Sequence, residues 1–142
     1  MLQTAAFKTK EMQVLEPIRK KGVYTFTVFP DDLNYAGNLF GGKLLAEMDI
    51  AASNAARRLT YQSNCDGIVT VKVSEVNFMV PAVLGDIVEL ETNIFEVGTT
   101  SITVDVRATR EDVMGRVSVI CEASFVFVAL KDGKPFPHRI QG

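Results

Sequence analysis

The stretch Phe40-Gly-Gly-Lys-Leu-Leu-Ala-Glu-Met-Asp-Ile-Ala-Ala-Ser-Asn-Ala-Ala-Arg-Arg-Leu59 decides the fold. Leu44, Leu45, Met48, Ala52, Ala55 and Leu59 recur at three- and four-residue steps. That period predicts one helix, roughly 30 Å long by its rise per residue. The segment Ala51–Ala56 is built of small residues, which let a helix axis approach a sheet more closely than Leu or Phe would, so the helix is expected to be buried. Gly41 and Gly42 ahead of it cost backbone entropy, and their presence implies a geometric reason such as a positive φ or a close contact with a ligand.

Strands flank this helix on both sides. Val23–Phe29 is rich in β-branched and aromatic residues and ends at Pro30-Asp31-Asp32, a strand followed by a turn that runs on through Asn34, Gly37 and Gly41. Ile68–Phe78 alternates at Val69, Val71 and Val73, then shifts phase to Val76 and Phe78, which suggests a bulge near Ser74-Glu75. Ile87–Val97 follows, then a Gly98–Ser101 turn. Ile102–Thr109 has Ile102, Val104, Val106 and Ala108 facing inward. In Val117–Leu130 the residues Val117, Val119, Cys121, Ala123, Phe125 and Phe127 are expected on one face. A meander of about five strands fills its concave face by wrapping around one apolar helix. Such a sheet leaves an edge, and pairing that edge with a second copy would hide its free N–H and C=O groups, so a dimer is expected.

The 142 residues match one ordinary domain, read here as residues 1–142 with an N-terminal arm at 1–21 and a C-terminal tail at 131–142. With 47% hydrophobic and 23% charged residues the chain is expected to fold, and a disordered or mucin-like protein is excluded. A net charge of −2 supports neither nucleic acid nor an anionic membrane as a partner. The opening residues contain no apolar core of signal-peptide length, so a cytoplasmic location is expected. Cys65 and Cys121 are expected as reduced, largely buried thiols, and the single histidine, His138, as a solvated tail residue. One histidine and two separated cysteines argue against Ser-His-Asp, Cys-His and zinc chemistry.

Asp49 is the residue singled out for chemistry, because an ionised carboxylate inside the most apolar helix is costly unless a site pairs or solvates it. The glycine-rich loop upstream delivers bare N–H groups of Gly41 and Gly42 to the start of the same helix, where they could stabilise an oxygen that becomes negative. A carboxylate further along could activate water or attack a carbonyl directly. Together these suit acyl transfer. Asn34 adds an amide that could hold water or polarise the carbonyl, with an Asx turn as its plain alternative. Ser53, one turn beyond Asp49, could orient water or simply bond its own helix backbone.

In this order and spacing, Pro30-Asp-Asp-Leu-Asn-Tyr-Ala-Gly-Asn-Leu-Phe-Gly-Gly42, Met48-Asp49, Asn77-Phe78, Pro81-Ala-Val-Leu-Gly-Asp86 and Val97-Gly-Thr-Thr-Ser101 resemble the hotdog-fold acyl-CoA thioesterases, of the bacterial broad-range and brain cytosolic acyl-CoA hydrolase type. The resemblance implies an α+β hotdog fold, with one long central helix wrapped by a five-stranded antiparallel sheet. It also implies a homo-oligomer, at least a dimer and as a trimer of dimers a hexamer. Asn34 of one subunit would face Asp49 of the other, beside Gly41 and Gly42. Phe40, Ser53, Gly98, Thr100 and Ser101 would meet the acyl-CoA substrate, with CoA as part of substrate and product, and neither cofactor nor metal is implied. Thr99 stands where relatives often carry a basic residue, so a CoA phosphate would be held elsewhere. Ala51-Ala52 replaces glycines, which would narrow the acyl tunnel and favour short chains. Two other functions are weighed: an acyl-CoA sensor without turnover, and a hotdog dehydratase, which would need a histidine in the site.

Overall fold

The computed structural model describes residues 21–140. Strand β1 (Lys21–Thr27) and a short 3-10 turn (Pro30–Asp32) lead to helix α1 (Gly41–Thr60). Four long strands follow: β2 (Gly67–Phe78), β3 (Ile87–Val97), β4 (Ser101–Glu111) and β5 (Val117–Lys131). A two-residue β6 (Lys134–Pro135) ends the series. All pairings are antiparallel, in the order β1-β3-β4-β5-β2, with β6 paired to the far end of β5.

The core is the contact between α1 and the concave face of this sheet, and α1 touches each of β1 to β5. Leu44, Met48, Ala52, Ala55, Ala56 and Leu59 meet Val88, Leu90, Ile102, Val104, Phe125 and Phe127, all buried. The alanines permit the close approach inferred from sequence, and the large side chains come mostly from the strands. The inward set of β4 is as expected from its alternation.

Two strand phases differ from expectation. On β5 the inward series holds from Cys121 to Phe127 and extends to Ala129, but it breaks at the start of the strand. The register jumps from Ala108↔Cys121 to Thr109↔Val119, so Ile120 is an inserted residue. It turns inward and is 1% exposed, whereas Val117 is 66% exposed. A single insertion flips every side chain beyond it to the other face. On β2 the bulge expected near Ser74-Glu75 is present, with Glu75 at φ 54, and a second irregularity lies at Thr70/Lys72. Val69, Val71 and Val73 do not join the core. They are exposed on a strand whose far side pairs with nothing among the described residues.

The terminal segments also depart from the sequence reading. Lys21 already belongs to β1, and the rest of the expected arm lies outside the described residues. The expected tail is ordered from its start: Lys131 closes β5, β6 folds back on it, and His138 is 3% exposed. The sheet accordingly has six strands, not five. Both cysteines are free thiols, with Cys121 buried and Cys65 half-buried. Burial pushes the Cys121 thiol above its usual range. No helix among the described residues is long and apolar enough to cross a membrane.

Candidate active site

Asp32 organises the loop ahead of α1. Its carboxylate accepts the N–H of Phe29 at 2.9 Å and its carbonyl accepts the N–H of Phe40 at 2.8 Å. Between these anchors, residues 33–39 form a small hairpin that turns at Gly37, φ 84. Asn34 sits inside it. Its Oδ1 accepts the N–H groups of Ala36 and Asn38 at 3.0 and 3.1 Å, the Asx turn weighed as its plain role. Those two bonds orient the amide. Nδ2 makes no hydrogen bond among the described residues and is left free to donate.

Phe40 precedes α1 with no side-chain cap, and Leu44 N–H makes the first intrahelical bond to Phe40 O at 3.0 Å. The N–H groups of Gly41, Gly42 and Lys43 therefore remain available at the positive end of the helix. Neither glycine has a positive φ. A Cβ on Gly42 would lie 2.7 Å from Cε2 of the exposed Phe40 ring, which would have to shift to accept it. Asn34 and Gly41 share a cleft of about 280 Å³ with Leu44, Phe78, Met79 and Ile120. A larger cleft, about 580 Å³, lies on the outer face of the sheet and holds none of the residues singled out for chemistry. Three of its charged groups are already engaged, Arg107 with Glu122 at 2.9 Å and Asp105 with Ser124 at 2.6 Å.

Asp49 lies eight residues beyond Gly41, about 12 Å along the helix axis. It is half-buried, and its Oδ1 accepts the hydroxyl of Thr70 on β2 at 3.0 Å. Thr70 has no sequence signal that separates it from the neighbouring β-branched residues. Only the packing of β2 against α1 identifies it. Ser53 donates to Ile50 O at 2.9 Å, the backbone-bonded alternative. A second helix carboxylate, Glu47, is buried more deeply than Asp49 and receives the Tyr24 hydroxyl at 3.2 Å. Burial and the adjacent Glu47 raise the Tyr24 pKa. Burial within α1 is thus not by itself what distinguishes Asp49.

The structure gathers Asn34, Phe40, Gly41 and Gly42 at one end of α1 and places Asp49 with Thr70 two turns away. Gly98, Thr100 and Ser101 form the β3–β4 turn. Gly98 N–H donates to Ser101 O at 2.9 Å, and a Cβ on Gly98 would collide with Ser101 Oγ. The pairing register sets Ser101 beside Val128 and Val128 beside Val69, next to Thr70. The turn is therefore two strand spacings from Thr70, about 10 Å. His138 packs under this turn with both ring nitrogens bound to backbone groups, so it supplies no catalytic histidine.

This geometry matches proteins of known class. Residues 36–116 match the family described as the thioesterase superfamily. The acyl-CoA thioester hydrolase YciA of Salmonella typhimurium is 34% identical over 118 residues, 80% of this chain and 86% of that one. The acyl-CoA hydrolase from Staphylococcus aureus, solved with butyryl coenzyme A and coenzyme A, is 31% identical with a TM-score of 0.75, covering 83% of this chain and 71% of that one. That enzyme has also been solved with a single asparagine, aspartate or threonine replaced by alanine. A hexameric thioesterase from Yersinia pestis is 30% identical with a TM-score of 0.75, covering 84% of this chain and 93% of that one. The chain belongs to the thioesterase superfamily, with the hotdog fold of its acyl-CoA hydrolases.

Proposed function

We propose that this chain, an acyl-CoA thioester hydrolase of that family, cleaves its substrate at a site completed by a second copy. The observation that carries the proposal is the separation within one chain. Gly41, at the donor end of α1 beside the Asn34 loop, and the carboxylate-bearing Asp49 are about 12 Å apart along the helix axis, too far for helix-end donors and carboxylate to act on one carbonyl. A second chain joined along the free edge of β2 would cover Val69, Val71 and Val73 and bring Asn34 of one copy to Asp49 of the other. The Yersinia thioesterase is hexameric, and a hexamer built as a trimer of dimers is proposed here. The two unpaired thiols fit the cytoplasm expected from the sequence.

A thioester carbonyl has weak resonance and needs few donors to become electrophilic. The N–H groups of Gly41 and Gly42 bind the developing oxyanion, and Asn34 Nδ2 adds a third donor or holds water. Asp49 acts as general base for water or as a nucleophile through an anhydride, with Thr70 holding Oδ1 and leaving Oδ2 to react. The S. aureus variants at an asparagine, an aspartate and a threonine are of the three residue types that Asn34, Asp49 and Thr70 supply here. Single turnover in ¹⁸O water tests the anhydride route: attack of water on the Asp49 carbonyl of the anhydride leaves solvent oxygen on Asp49, which the general-base route cannot do.

Thr70→Val keeps shape and removes the hydroxyl. The resulting freedom of the carboxylate should lower kcat roughly 10- to 100-fold with KM unchanged; full turnover would show that Thr70 does not position Asp49. A thiol-release assay over a panel of acyl-CoAs tests the function itself. Release is expected, falling from acetyl- to palmitoyl-CoA because Ala51 and Ala52 narrow the acyl tunnel. Tight binding without free thiol would make the protein a sensor, and a preference for long chains would overturn the alanine argument.

A further inference from the structure

His138 is almost completely buried, yet the hydrolytic site has no use for it. Its bonds all serve one purpose. The backbone N–H of His138 donates to Thr99 O at 3.1 Å, and Nε2 donates to Ser101 O at 3.0 Å. Nδ1 accepts the N–H of Ile140 at 3.0 Å, which fixes the neutral tautomer with its proton on Nε2. Thr100 O, between those two carbonyls, accepts Ala129 N–H at 2.8 Å.

Three consecutive carbonyls of the β3–β4 turn are thus tied back to β5 and to the tail. Thr99 and Thr100 N–H make no such backbone bond among the described residues. The tail is itself anchored: β6 pairs with Leu130 and Lys131, Phe136 N–H donates to Ala129 O at 2.9 Å, and Lys131 Nζ lies 5.5 Å from the Phe136 ring centroid. Ile140 packs against the core.

We infer that His138 is a positioning residue for CoA: through residues 136–140 it straps the Gly98–Ser101 turn into the shape that receives the CoA portion of the substrate. The inference rests on the hydrolase reading together with the family resemblance, which assigns Gly98, Thr100 and Ser101 to the acyl-CoA substrate; the turn lies about 10 Å from Thr70. With the carbonyls tied back, the N–H groups of Thr99 and Thr100 are the turn's unengaged backbone donors among the described residues and suit an anionic group where no basic side chain stands, which revises the expectation from sequence that the CoA phosphate is held elsewhere. Acyl chemistry at Asp49 does not need the strap, but recognition of the nucleotide end does.

The test compares acetyl-CoA with the acetyl thioester of N-acetylcysteamine, which lacks the nucleotide. His138→Ala should raise KM for acetyl-CoA about tenfold with kcat within about twofold, weaken CoA binding by calorimetry by the same factor, and leave kcat/KM for the truncated thioester unaltered. His138→Gln, which retains a donor at the Nε2 position, should recover most of the loss. An unchanged KM and Kd for CoA, or equal losses on both thioesters, would overturn the strap. If the wild-type protein binds CoA but releases no thiol, the hydrolase reading fails, and the effect of His138→Ala on the CoA Kd still decides the strap. If it binds no CoA, both fall.

Discussion

Asp49→Asn should lower kcat by roughly 10²–10⁴ while the protein stays folded, because the amide neither takes a proton from water nor attacks a carbonyl. The substitution is nearly isosteric and keeps an oxygen to accept the Thr70 hydroxyl, so the loss reports on chemistry and not on packing. Asn34→Ala should be inactive to a lesser degree, since one donor of several is removed. If the site spans two copies, the two inactive variants complement each other. Co-expressed in equal amounts, half of the dimers are mixed, and each mixed dimer has one site with both Asn34 and Asp49 intact, so about a quarter of wild-type activity should return. Absence of recovery in demonstrably mixed dimers would place both groups in the same chain. Asp49→Asn with full turnover would remove the carboxylate from the mechanism altogether.

The largest expected effect on stability comes from Asp86, immediately before β3. Its carboxylate is 1% exposed, accepts Val83 N–H at 2.9 Å and pairs with Arg110 Nη1 at 3.4 Å. The same Nη1 donates to Pro81 O at 2.6 Å. One buried carboxylate and one arginine on β4 therefore hold the loop between β2 and β3, whose residues Met79–Ala82 wall the cleft beside Asn34. Asp86→Ala leaves a guanidinium without its counter-charge and the Val83 N–H without its acceptor, and should cost about 3 kcal/mol. Thermal unfolding should show a fall of about 10 °C. Asp86→Asn can still accept Val83 N–H and should lose roughly half as much. A melting temperature within a degree or two of wild type for Asp86→Ala would show that the pair does not hold the loop.

Which parts of this architecture were legible in the sequence follows the range of the signal. The helix from Phe40 to Leu59 and the inward face of β4 each repeat a local period, and the structure reproduces both within two residues. Asp49 was legible as an acid among apolar neighbours, although Glu47 met that description as well and is engaged by Tyr24. Asn34 was legible through its glycine-rich setting. The Asx bonds that orient it are local, and so were foreseeable as an alternative. Ser53 bonds its own backbone.

Residue order alone determined that one helix with small side chains lies inside an antiparallel meander, that an acid and an amide stand 15 positions apart in Met48-Asp49 and the loop before α1, and which family pattern they form. Tertiary structure decided the phase of β5 before Cys121, the pairing of Thr70 with Asp49, the exposure of Val69, Val71 and Val73, and the burial of His138. The reason is physical. Periodicity reports which face a residue takes relative to its chain neighbours, whereas insertions in register and contacts between distant segments are set by the free energy of pairing and packing the whole sheet around α1.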